Sequence, residues 1–519
     1  MTARRVTRRV RSLLAAALAG FVLAGCGPVA ADDSTLTVQF SGPPIAGLDP
    51  AKASGGQSMI YSTLAYDSLI HLRPDGTLAP DLATSWTWLG EGYRQFQLTL
   101  REGVTFSDGT PLTAEAVVQW LAYFRDAKST LSSNLQMLTT ATAVDDRTVR
   151  LDLSEPNPDL PIVLSQLYGG GMVASPAALA APGSLDMATD GTGPYVLDPA
   201  QSVSGDHYTY VRNTRYWNPG AVHYDTVTVK VLSDPNTVVS AVASGQIDVA
   251  VGRPATAPIA ADSGASVSSA PGAVWGVYLL DRDGVLVPPL AKKEVRQAVN
   301  LALDRGPITK ALNPNGYATP TAQMGTPQQN GFRAELDDYY PYDPDRARAL
   351  LAAAGYPDGF RFTLLCSETL NTCPLAQAVA SELDDIGVTV DIDAESEISS
   401  FNQKFRGGKV PAVIFNSNAP AYMAARALAH EDVLANPFNT TDPRVTADLT
   451  RVAGSTGAEQ GEAFADLVED FAELAWFAPV YRADTLLYST GVRGVGLQPQ
   501  APTYFSAVDP SGNASWRPA

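Results

Sequence analysis

Histidine and cysteine are scarce in this chain, with four and three copies among 519 residues. His71, His207, His223 and His430 are scattered, and no H-E-x-x-H pattern occurs, so no zinc site of about four N, S or O ligands is legible. A G-x-S-x-G nucleophile elbow is missing, as is any Cys/His nucleophile pair. Gly407-Gly408-Lys409 lacks the leading glycine and the Ser/Thr of a P-loop. Gly191-Thr192-Gly193 lacks the G-x-G-x-x-G spacing and reads as a turn before a strand. Positive charge is also short: 36 Lys and Arg stand against 54 Asp and Glu, for a net charge of −18. Such a surface argues against nucleic acid as a partner. Beyond the N-terminus no apolar run reaches the roughly 20 residues that span a bilayer. These deficits point away from an enzyme, a metalloprotein and an integral membrane protein.

What is present begins at the N-terminus. Arg4, Arg5, Arg8, Arg9 and Arg11 precede an apolar core over residues 12–23, of signal-peptide length. It ends in Leu23-Ala24-Gly25-Cys26, which looks like a bacterial lipobox. Residues 1–25 are therefore expected to be a leader, Cys26 to take a diacylglycerol, and residues 26–32 to be a tether. The mature protein would be extracytoplasmic and lipid-anchored to the cell membrane. Removing the five leader arginines would take the net charge to −23. Cys366 and Cys373 remain, in LLCSETLNTCPLA. Outside the cytoplasm they most simply close a small disulfide loop, with free thiols and a metal site as alternatives. With 45% hydrophobic and 17% charged residues, the chain is long enough for two or three lobes.

Residues 93–118 read YRQFQLTLREGVTFSDGTPLTAEAVV. Locally this is a strand from Phe96, a turn at Arg101-Glu102-Gly103, a second turn at Ser107-Asp108-Gly109, and a helix after Thr113 as N-cap. By itself that describes a hairpin followed by a helix. The full string resembles the signature of family 5 extracellular solute-binding proteins, the receptors of oligopeptide, dipeptide and nickel ABC importers. Further matches follow in order: Leu48-Asp49-Pro50-Ala51, IYSTLAYDSL at 60–69, LAPDLATSW at 78–86, Gly191-Thr192-Gly193-Pro194-Tyr195, and Arg212-Asn213-Thr214-Arg215-Tyr216-Trp217. Ser244-Gly245-Gln246-Ile247-Asp248, an amphipathic helix over 294–305, and YYPYDPDRARALLAAAGYPDGF near 339–360 complete the set.

The resemblance implies an α/β, two-lobed, periplasmic-binding-protein-like fold (type II, a Venus flytrap) with an additional inserted domain. Lobe I would comprise residues 33–72, 190–268 and 488–519, inserted domain II residues 73–189, and lobe III residues 269–487. Alternation of strand and helix patterns over 223–244 and 360–392 supports parallel or mixed sheets independently. The acidic doublets Asp337-Asp338 and Asp384-Asp385 read as solvated faces.

By the same resemblance, ligand would bridge both lobes of a monomer, the hinge would close, and an ABC permease would receive the closed form, with no cofactor. PAVIFNSNAPAYM at 411–423 corresponds to the family's cleft strand, where W-x-x-D-Y is typical. Here no aspartate occurs; Asn418, Ala419 or Pro420 stands in its place, and the family's pocket tryptophan is replaced near Ile398. Losing that carboxylate removes a charge-assisted bond to a peptide's ammonium. Expected ligand contacts are Phe415, Asn416, Ser417, Asn418 and Tyr422 on one wall. On the other wall they are Ser41, Gly42 and Pro43, presenting backbone. No histidine falls in this cleft, His430 being nearest, and no metal site is expected. The expected function is capture of peptides or peptide-like solutes. Alternatives are the same fold binding a glycan fragment or metal complex, and an interaction module of the cell envelope.

Overall fold

A computed structural model describes residues 34–44, 47–53, 56–73, 75–129, 131–181, 183–327, 329–417, 421–430, 435–497, 506–512 and 514–519. The principal elements, in chain order, are β1 (Thr35–Phe40), β2 (Ala83–Trp88), β3 (Gln95–Leu100), α1 (Ala114–Asp126), β4 (Leu138–Ala143), β5 (Thr148–Leu153), β6 (His207–Arg212), β7 (Thr226–Val231), α2 (Pro235–Ala243) and β8 (Val249–Gly252). Then come β9 (Ser266–Leu279), α3 (Lys293–Leu301), α4 (Pro344–Ala353), β10 (Phe360–Ser367), α5 (Cys373–Asp384), β11 (Val388–Glu395), α6 (Ile398–Arg406), β12 (Ala412–Ser417), α7 (Ala421–Ala429), α8 (Gly457–Leu474) and β13 (Phe477–Ser489).

Short-range chemistry sets many boundaries. The Thr113 hydroxyl accepts from Ala116 N to open α1, and Asp343 accepts from Arg346 N to open α4, each satisfying a first-turn donor. Gly245, at φ +70°, follows α2 as a left-handed stop. The helix expected over 294–305 is shorter. It ends at Leu301, because Arg305 folds back and donates to the Asn300 carbonyl (3.0 Å) and Asn300 Oδ1 (3.0 Å), and a new helix starts at Arg305. Val295, Val299 and Ala302 are buried as one face.

The hairpin read at 96–106 is not formed. β3 is instead an inner strand, paired antiparallel with β2 and β5 in a separate four-stranded sheet ordered β2-β3-β5-β4. Its apolar residues Phe96, Leu98 and Leu100 are buried, and only distant strands can line both its edges.

Among the described residues, eleven strands form one continuous sheet that crosses both lobes, with a central order β11-β10-β12-β9-β13-β8-β1-β7-β6. β1 lies parallel to β7 and β8, and β10 parallel to β11 and β12. β9 and β13 run antiparallel from Ser266↔Ser489 in lobe I to Tyr278↔Phe477 in lobe III, with register shifts between Pro271 and Val274 and between Trp275 and Gly276. Such irregularities loosen the ladder where the chain passes between lobes. One buried cluster joins β1 to the inserted sheet, through Leu36, Val38, Phe96, Leu98 and Trp120. Lobe III has its own clusters on its sheet's two faces, one with Val299, Leu364, Val379 and Ile414, the other with Phe401, Val413, Phe464 and Trp476. The inserted sheet and lobe I thus form one packed body, and lobe III forms the second.

Among the described residues no helix is long and apolar enough to cross a membrane. Residues 1–33, including Cys26, lie outside the described residues. Cys366 and Cys373 are joined by a disulfide that ties the end of β10 to the start of α5.

Candidate functional site

The two parallel strand sets end on opposite sides of the crossing strands. β12 ends at Ser417, opposite Val274, which pairs with Arg482; β8 ends at Gly252, opposite Leu486. Arg482 and Leu486 are four positions apart on β13, about 13 Å along a strand. Open α/β sheets bind ligands outside the carboxyl ends of their strands. Here the ends of β1 and β8 form one wall of such a crevice and the end of β12 the other.

The lobe I wall is stiff. Gln39 is buried; its side chain donates to Leu232 O (2.6 Å) and accepts from Val251 N (3.1 Å), locking the ends of β7 and β8 onto β1. Ser41 and Gly42 are half-buried and Pro43 is exposed. The Gly42 carbonyl accepts from the Tyr61 hydroxyl at 2.7 Å, and a Cβ added at Gly42 would meet nothing within 4 Å. The loop is anchored on one side and open on the other.

The lobe III wall divides the expected contacts. Strand side chains alternate between faces. Phe415 and Ser417 share the face of Val413, whereas Asn416 shares that of Ile414 and stands beside Trp275. Phe415 packs edge-on against Tyr278 (5.9 Å) and Phe405 (5.0 Å), so the lobe III core holds it. Ser417 hydrogen-bonds the Tyr278 hydroxyl, while burial raises that phenol's pKa. Asn418 lies outside the described residues. Ile398 opens α6 and is 41% exposed. Tyr422 turns from the crevice toward the inserted sheet, where its hydroxyl donates to Pro156 O (3.3 Å). Ser41–Pro43 and Asn416–Ser417 thus lie on facing strand ends, whereas Phe415 and Tyr422 are otherwise engaged.

Tyr422 borders a cavity of about 590 Å³ between the two bodies, whose lining includes Arg94, Glu155, Arg426 and His430. Arg426 pairs with Glu155 at 2.7 Å, and His430 approaches the same carboxylate at 3.4 Å. Asp159 accepts from Met423 N at 3.1 Å. Burial pushes the Asp159 carboxyl up to about 6, against the lowering effect of that amide and of Arg426. The sequence reading missed Glu155 and Asp159. Asp159 stands before Leu160-Pro161 and resembles an ordinary helix opener; nothing local marks a partner 264 positions away. Among the described residues no group of three or more His, Cys, Asp or Glu is placed to hold a metal ion.

Residues 77–429 match the family described as bacterial extracellular solute-binding proteins, family 5 Middle. The chain belongs to that family. Among relatives of this family 5 protein, the glutathione-binding protein GsiB of Escherichia coli (strain K12) is 29% identical over 387 residues, covering 74% of this chain and 73% of the relative. Of solved structures, the PBP AgaA of A.tumefacien R10, in complex with agropinic acid, superposes with a TM-score of 0.79 at 24% identity, over 93% of this chain and 99% of AgaA. HbpA2 of Haemophilus parasuis gives 0.77 at 21% identity, over 91% and 99%. These likenesses show the two-lobed α/β fold of type II periplasmic binding proteins; agropinic acid and glutathione belong to those proteins.

Proposed function

We propose that this family 5 protein is the substrate-binding component of an ABC importer, capturing peptides or peptide-like solutes in the crevice between lobe I and lobe III. In this reading Cys26 carries the lipid anchor, the monomer closes on its solute, a membrane permease receives the closed form, and no reaction is catalysed. The proposed domain ranges are those read from the sequence, with the disulfide bracing lobe III. Solute backbone meets the open edge at Ser41, Gly42 and Pro43, and its polar groups meet Asn416, Ser417 and Asn418.

The observation that carries the reading is a lobe III wall with no carboxylate anywhere in residues 411–423. On that segment an ordinary peptide ammonium would find no counter-ion, a costly state where the site is desolvated. A γ-linked peptide such as glutathione carries a free carboxylate beside its ammonium and so needs less compensation from the protein. The glutathione-binding relatives favour that class.

Titration calorimetry with glutathione, a free tripeptide and its N-acetylated form tests this. Glutathione and the acetylated peptide should bind at least as tightly as the free tripeptide. Preference for the free amino end would refute the reading. Failure of all three would favour a glycan fragment, a metal complex or a cell-envelope interaction role.

A further inference from the structure

Among the described residues, several polar contacts join the inserted sheet's body to lobe III outside the crossing strands β9 and β13. Asp159 accepts from Met423 N, in the first turn of α7, at 3.1 Å. Arg426, one turn on, pairs with Glu155 at 2.7 Å. The Tyr422 hydroxyl donates to Pro156 O at 3.3 Å. The Tyr93 hydroxyl donates to Ser455 O at 2.8 Å and accepts from Gln460 Nε2 at 3.2 Å. Tyr93 holds that position from a left-handed backbone, φ +50°, unusual for an aromatic residue, and edge-on against Trp88. Met423 also packs against the core of the lobe I body, and Asn315 Nδ2 donates to Pro254 O at 2.6 Å; opening the crevice must break the contacts on α7.

We propose that Asp159 and Glu155, seated on α7, form a latch that exists only when the lobes are closed, making two residues outside the solute crevice determinants of how tightly solute is held. The consequence for affinity rests on the solute-binding reading; the latch itself does not. A solute shifts lobe closure only by its preference for the closed form, and a contact made only on closing adds to or subtracts from that preference at a distance.

Asp159 is buried among groups of both bodies: Met423 N and Arg426 from α7 favour its ionised form, against the burial that pushes its carboxyl up to about 6, while Tyr168 stands beside it in its own body and Glu155, Tyr422, Arg94 and His430 lie around it.

Hydrogen exchange of the Met423 amide reads the latch directly in the full chain without solute, since a first-turn amide has no intrahelical acceptor. At pH 7, Asp159→Ala should lower protection, corrected for intrinsic rate, severalfold. Glu155→Gln, at a more exposed site, should lower it severalfold as well. Unchanged protection of Leu151 in β5 certifies that the inserted sheet remains folded. The proposal is overturned if either Asp159→Ala or Glu155→Gln leaves Met423 protection untouched. Should the latch behave as described while glutathione and peptides fail to bind, the solute assignment falls and the latch stands.

Discussion

Asp337 and Asp338 are adjacent in sequence and opposite in energetic consequence. Asp337 takes both terminal nitrogens of Arg482 at 2.9 Å each and accepts from the Thr321 hydroxyl (2.6 Å) and Gln323 Nε2 (2.9 Å). Arg482 is only 5% exposed, lies 5.3 Å from the Phe332 ring centre, and stands on the crossing strand β13. Asp337→Asn leaves that guanidinium buried without its counter-ion. Breaking a buried pair from one side costs about 3–5 kcal/mol. The lower end applies because the Asp337 side chain is 21% exposed. A loss of about 3 kcal/mol in a lobe of this size lowers its calorimetric midpoint by about 6–12 °C.

Asp338 is exposed, and Asp338→Asn should stay within about 0.5 kcal/mol of the parent. Burial pushes the Asp337 carboxyl up, but hydrogen bonds from Arg482, Thr321 and Gln323 outweigh it and hold the pKa below the ordinary value. Its contribution is therefore present above the unfolded carboxylate pKa and is lost as pH falls through the folded one. The gap between parent and Asp337→Asn should narrow in acid. Equal midpoints for Asp337→Asn and the parent at pH 7, or equal losses in both variants, would refute the reasoning.

Three further outcomes follow from the packing. Replacing Cys366 and Cys373 by alanine opens a loop with a sequence separation of 7 and should cost about 2.5 kcal/mol by chain entropy, a fall that dithiothreitol reproduces in the parent but not in the variant. Gly193→Ala would place a Cβ 2.4 Å from the Ala65 carbonyl carbon and should cost about 2 kcal/mol in urea unfolding, whereas Gly42→Ala should leave stability within about 0.5 kcal/mol and weaken only solute binding. Burial raises the Asp67 carboxyl to about 7 despite hydrogen bonds from Trp217 and Tyr216. Its contribution is full below the unfolded value near 4 and is lost as pH rises to about 7, so Asp67→Asn should flatten that decline in a pH series of melting temperatures.

The parts of the fold legible in sequence were those fixed locally. Thr113 and Gly245 mark helix ends because capping uses neighbours a few residues away; the sequence leaves Asp343 or Asp345 open as the start of α4, and Asp343 is the cap. Alternation over 223–232 and 360–365 finds β7 and β10 because one-sided or two-sided burial writes a period into the chain. The family signature supplied the lobe architecture, which no local pattern contains. What stayed hidden depends on distant partners. β3 resembled a hairpin arm because its true partners begin at Ala83 and Thr148. Asp337 looked solvated because Arg482 is 145 positions away. Phe415 reads as a solute contact because no single-strand pattern shows that Tyr278 and Phe405 already hold it. Asn416 and Ser417 read as one pair of contacts by adjacency, although a strand sends neighbours to opposite faces.

Thermal unfolding of the full chain, with and without glutathione and a pool of short peptides, tests the central claim most directly. A solute present at about a hundred times its Kd should stabilise the folded protein by about 2.7 kcal/mol, a readily visible rise in midpoint. A cooperative transition that neither glutathione nor the peptide pool moves would contradict the assignment of the crevice to peptide-like solutes.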